Sequence, residues 1–165
     1  MDDKHSMDEG GRKRLSTALI VRRAASKRTA INEFQAQHLC VLARLMVQAV
    51  VEQSEVDSVA DLPEEGWEAF TKMPEYELFV LGAYACGFVC SDLIPNVDLN
   101  AVTSRPREML RETTLPHLRH YIHTLMRSER AGHGYGSVIY DALRSGVFEV
   151  LCERLEYGSN LYESL

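Results

Sequence analysis

Residues 74–92 read PEYELFVLGAYACGFVCSD, and the fold turns on them. Between Glu77 and Asp92 no charged side chain occurs. Pro74 opens the segment, and Glu75 and Glu77 stand in its first turn, where a helix dipole favours negative charge. A helix apolar on every side belongs at the centre of a bundle, so Leu78–Ser91 is expected to be the central helix. Gly82, Cys86 and Cys90 stand four apart, as do Ala83 and Gly87, a row of small residues that lets a neighbouring helix come close. Glycine inside a helix costs about 1 kcal/mol against alanine, and close packing is the natural offset. In such surroundings Cys86 and Cys90 read as small hydrophobes rather than reactive thiols.

The flanking segments supply companions for that helix. Upstream, Ala30–Gln53 carries Ile31, Phe34, His38, Val41, Leu42, Leu45, Ala49 and Val50 at steps of three and four, with Thr29 as N-cap. His38 on that face reads as a core histidine. Asp61, Pro63 and Glu64 resemble a capping box for a short helix with Trp67 and Phe70. Downstream, Pro95–Pro106 is a turn-rich crossover with room for one helical turn, and Glu108–Thr113 has room for another. Thr114 caps a helix to Arg130 whose apolar face is Leu118, Tyr121, Ile122, Leu125 and Met126. Gly132–Ser137 is a tight loop; Ser137 caps a helix to about Arg144 that Gly146 ends. Val147, Phe148, Leu151 and Leu155 mark a last helix ending near Tyr157. No run alternates with period two and no Asn-Gly or Asp-Gly turn occurs, which argues against a sheet. The expectation is an all-α, single-domain bundle of five to six helices over residues 29–158. A flexible, disordered or arm-like basic segment (1–28) precedes it, and a frayed C-terminus (159–165) follows.

With 165 residues, 45% of them apolar and 25% charged, the chain can bury a core without a metal or disulfide staple. No stretch of about 20 apolar residues suggests a membrane span. Met1–Gly10 carries Asp2, Asp3, Asp8 and Glu9 and lacks the apolar centre of a secretory signal. Four cysteines without metal-type spacing point to a reduced, cytoplasmic protein with neither metal nor cofactor.

The net charge of −6 is unevenly spread. Residues 1–30 hold eight basic and four acidic side chains, residues 31–100 two and twelve, and residues 101–165 eight of each. In Gly10–Arg28, Arg12, Lys13, Arg14, Arg22, Arg23, Lys27 and Arg28 meet no acid. Such an arm can neutralise phosphates, or it can lie on the acidic middle of its own chain.

Phosphate-loop, zinc-protease and nucleophile-elbow motifs are absent, which lowers the prospect of an enzyme and leaves no catalytic residue to assign. His117, His120 and His123 are spaced by three, so the outer two point about 120° apart on a helix and cannot easily share a metal. One buried, hydrogen-bonded histidine and two half-exposed ones is the expected arrangement. The polar cluster around the loop stands out more. Arg127, Glu129 and Arg130 close one helix, His133, Tyr135 and Ser137 lead into the next, and Arg144 lies near its end. Glycine-flanked amides at a helix start, with two arginines beside them, can hold an anion. The same residues also suit a capped turn, with Glu129 paired to an arginine.

Part of this region is familiar. His120-Tyr121-Ile122-His123-Thr124-Leu125, Arg127-Ser128-Glu129-Arg130, Gly134-Tyr135-Gly136-Ser137 and Ala142-Leu143-Arg144-Ser145-Gly146 resemble a family of small bacterial proteins with no assigned activity. The resemblance spans Leu115–Leu155. It implies a bacterial, cytoplasmic protein and brings no catalytic residue with it.

Three functions follow in order of weight. The first is a non-enzymatic helical interaction or regulatory protein that binds a protein partner or a second copy, as in a homodimer, through helix faces and the Arg127–Ser137 region. The second is nucleic-acid binding through the basic arm with Arg127 and Arg130. The third is binding or turnover of a small anionic ligand at the Arg127–Ser137 loop.

Overall fold

A computed structural model describes residues 30–94 and 96–161, with side chains as far as Glu156. The basic residues Arg12, Lys13, Arg14, Arg22, Arg23, Lys27 and Arg28 lie outside these residues, as does Thr29. The described chain is all helical and contains no strand. Its eight helices are α1 (Glu33–Gln53), α2 (Trp67–Thr71), α3 (Pro74–Ala85), α4 (Leu99–Ser104), α5 (Pro106–Leu110), α6 (Leu115–Ala131), α7 (Val138–Arg144) and α8 (Val147–Leu161). The count exceeds the expected five to six because the crossover holds two short helices. Asp98 caps α4 by accepting from the Ala101 amide, and Pro106 starts α5. At the far end α8 runs past Tyr157 into the stretch expected to fray.

Helix α1 starts later than the periodicity suggests. The Asn32 side chain accepts from the Gln35 amide at 2.9 Å, and the Gln35 side chain accepts from the Asn32 amide at 2.8 Å. This reciprocal pair satisfies two otherwise orphaned donors and fixes the start at Glu33. The buried face also differs from the expected one. Ala36, Leu39, Cys40, Ala43, Met46 and Val50 are buried, whereas Phe34 is 81% exposed and His38, Val41 and Leu45 face solvent. His38 is therefore not a core histidine. At 100° per residue, Phe34, Val41 and Leu45 fall within about 40° of arc, opposite the buried set. Helix α1 thus has a second, mixed face, in which Phe34, Val41 and Leu45 stand among Gln37, His38, Gln48 and Glu52, and packing selects the face with small residues. It is also the one described helix long and apolar enough to cross a membrane, with a mean hydropathy of 1.3, although here it packs on α3 and α8.

Helix α3 stops at Ala85, short of the expected Ser91. Gly87 takes φ +81°, the Phe88 amide reaches the Ala83 carbonyl at 3.0 Å, and the Gly87 amide reaches the Tyr84 carbonyl at 3.1 Å. That bond pair ends a helix at a left-handed residue, which glycine enters without a Cβ penalty. Cys86 and Cys90 therefore do not share a helix face. Gly82 does serve close packing, for a Cβ there would collide with Leu42 Cδ1 of α1.

The most extensive helix seam joins α1 to α8. Cys40 faces Cys152, and one turn on Arg44 pairs with Glu156, so both contacts span 112 residues and the helices run parallel. Phe79 of α3 meets Phe148 of α8 edge to face at 5.3 Å. On α6 the expected face is buried throughout. The Asp61–Glu64 capping box does not form. Val59–Asp61 is a 3-10 turn in which Asp61 accepts the Ser58 hydroxyl at 3.0 Å, and α2 begins only after Gly66.

Candidate functional site

The loop between α6 and α7 divides into an inner and an outer half. Inside, Glu129 is 7% exposed and its carboxylate accepts three hydrogen bonds. Tyr76 donates to Oε1 at 2.8 Å, Ser137 to Oε1 at 2.7 Å, and the Ile139 amide to Oε2 at 3.0 Å. Ser137 Oγ also accepts from the Tyr140 amide at 3.1 Å, as the expected N-cap of α7. Two of the amides that would greet an anion at this helix start are thus already bound by groups of the chain itself. Glu129 pairs with hydroxyls and an amide here, where the sequence suggested an arginine.

Outside, Arg127, Arg130 and His133 are exposed and Tyr135 is 94% exposed. The arginines and His133 do not converge with Ser137, which is buried on the other side of the turn. Gly134 has φ +91° with open space where a Cβ would stand, so the turn uses it for backbone conformation. Arg144 points away from the loop and donates from Nε to the Leu62 carbonyl at 3.2 Å. Tyr140 reaches the adjacent Pro63 carbonyl. These two bonds pin the Ser58–Gly66 connection onto α7.

Sequence reasoning missed the tyrosines. Tyr76 and Tyr140 flank Phe70, with ring centroids at 5.0 and 5.4 Å. Burial pushes the Tyr76 phenol up, and the negative Glu129 beside it pushes the same way. Tyr76 therefore stays protonated and remains a donor. Alternating Tyr and Glu at the start of α3 is a weak signal that gives no hint of a partner 53 residues on.

The histidine row behaves as expected. His117 is exposed with Nδ1 at 2.8 Å from the Thr114 hydroxyl, His120 is half-buried, and His123 is buried with Nδ1 accepting from the Cys90 amide at 3.3 Å. Desolvation holds the His123 imidazole below its ordinary value, and the Leu93 backbone opposes that shift. Among the described residues no three His, Cys, Asp or Glu side chains are grouped to hold a metal.

Two surface features border α1. One is the outer face of α1, with Phe34, Val41 and Leu45. The other is a groove of about 590 Å³ between α1, the Asp57–Val59 segment and α8, with Val47, Val51, Phe148 and Cys152 in its lining. The chain matches no protein-family model, no curated protein and no solved structure at a significant level.

Proposed function

We propose that this chain is a non-enzymatic helical interaction protein that uses the outer face of α1 to bind an apolar protein surface, on another chain or on a second copy. The observation that carries the reading is the set of large apolar side chains that α1 leaves exposed opposite its buried face. One is consumed by the core, while Phe34, Val41 and Leu45 stand 81, 54 and 48% exposed. Large apolar side chains exposed on one helix face, here set among Gln37, His38 and Gln48, are a recurring mark of interaction sites. The polar loop supports the same reading, because its buried half is occupied in holding α3, α6 and α7 together.

Light scattering over a concentration series, followed by capture of partners, tests the proposal. Phe34→Asp with Val41→Asp should abolish association while the circular dichroism stays helical. A wild-type chain that is monomeric at every concentration and captures nothing would overturn it. Nucleic-acid binding remains a second reading, favoured by the exposure of Arg127 and Arg130 in the last turns of α6. It requires a gel shift at low salt that fades steeply as salt is added.

A further inference from the structure

We propose that Cys40 and Cys152 form an oxidisable thiol pair, a modification site at which a hydroperoxide converts two buried thiols into a disulfide that joins α1 to α8. The two side chains face each other across the seam. Each sulfur also faces the other residue's backbone: Cys40 Sγ donates to the Cys152 carbonyl at 3.5 Å, and Cys152 Sγ to the Cys40 carbonyl at 4.0 Å. That reciprocity sets the residues squarely opposite on parallel helices. From that placement the disulfide, with its sulfurs about 2.05 Å apart, is expected to form by torsion of the two side chains.

Both thiols are buried, yet Cys152 lines the 590 Å³ groove, which gives a small oxidant a route to the pair. Hydrogen bonding from Cys152 draws the Cys40 thiol below its ordinary value, and the Arg44 guanidinium adds to this against desolvation. The Cys152 thiol is pushed up by the same partner and by burial. The pair reacts as one unit: the sulfur that the oxidant reaches is oxidised, and the other resolves it. Cys86, by contrast, is only pushed up by burial.

The chemistry balances as follows. One sulfur of the pair, as thiolate, attacks the terminal oxygen of the hydroperoxide; an S–O bond forms, the O–O bond breaks, and the departing alkoxide takes up the proton that thiol gave up. The second sulfur then attacks the sulfenic sulfur. An S–S bond forms, and the hydroxyl leaves with the second thiol's proton as water. Two thiols lose two electrons in total, and the hydroperoxide is reduced to an alcohol and water.

The test treats the full chain with tert-butyl hydroperoxide, denatures it, alkylates free thiols and maps the peptides. Of the four cysteines, two should escape alkylation, joined as a Cys40–Cys152 peptide that dithiothreitol separates. Oxidation should raise Tm by about 10 °C, because the bridge closes a very long loop. Cys40→Ser and Cys152→Ser should each remove the cross-link, and Cys86→Ser should keep it. Full alkylation of all four thiols, a bridge to Cys86 or Cys90, or a disulfide between two chains would each overturn the proposal. The wild-type map decides the question even if a serine variant fails to fold.

Discussion

The Glu129 carboxylate accepts the Ser137 hydroxyl at 2.7 Å, eight residues on, and this bond closes the turn between α6 and α7 from the inside. The same oxygen takes the Tyr76 phenol, so one buried acid ties three helices together. Hydrogen bonds to a charged group are stronger than neutral ones, and removing such a hub strands several donors at once.

Glu129→Ala is therefore expected to cost about 3 kcal/mol in urea unfolding, and Tyr76→Phe about 1.5 kcal/mol. The double variant should cost less than the sum, because both remove one shared bond. Strict additivity would show that the phenol and the carboxylate do not interact.

Gly82 and Leu42 give a test with a change of sign. Alanine at Gly82 should gain about 1 kcal/mol in helix propensity. Its Cβ meets Leu42 Cδ1, however, so Gly82→Ala should lower Tm in the wild-type chain. In a Leu42→Ala background the same change should raise it. Stabilisation in both backgrounds would mean that the Leu42 side chain swings aside to admit the new methyl group.

His123 predicts a pH dependence. The fold holds its imidazole below the ordinary value of 6.5, so between these two values the unfolded chain binds the proton more readily. Its contribution is present above pH 6.5 and is lost as the pH falls toward the lowered value. Tm measured from pH 7.5 to 5 should drop, and His123→Gln should flatten the drop. An unchanged slope in the variant would assign it to other groups.

The two faces of α1 should differ sharply in stability. Leu39→Ala empties a fully buried site and should cost about 3 kcal/mol. Phe34→Ser and Val41→Thr should each stay within about 0.5 kcal/mol, since neither side chain supports the core. Equal losses on both faces would contradict the orientation of the helix.

What the sequence disclosed follows from where charge bounded apolarity. Charged and polar residues flank the apolar stripe of α6, so Leu118 to Met126 stood out, although the fold also buries Arg119, His123 and Thr124 beside them. Ser137 announced its helix start because a serine before an apolar run has a local bond to make. Helix α1 offered no such contrast. Apolar residues surround it, and the larger ones drew attention to the face that is in fact exposed, while Ala36 and Ala43 fill the seam. Gly87 was read as part of a packing ridge although its role is to stop α3, a distinction that rests on φ. Glu129 was visible, but Tyr76 lies 53 residues away, and Cys40 and Cys152 lie 112 apart. Pairings that distant come only from tertiary structure.

The parallel seam of α1 and α8 bears on how the chain reaches its native state. Helical bundles usually assemble fast because sequence neighbours pack first. Here the richest interface joins the helices at opposite ends of the described chain, and it gives nothing back until a loop of 112 residues has closed. Loop closure on that scale costs about 4 kcal/mol of chain entropy. Folding should therefore be slower than its helical content alone would suggest, and α1 must wait for the synthesis of α8 before the seam can form.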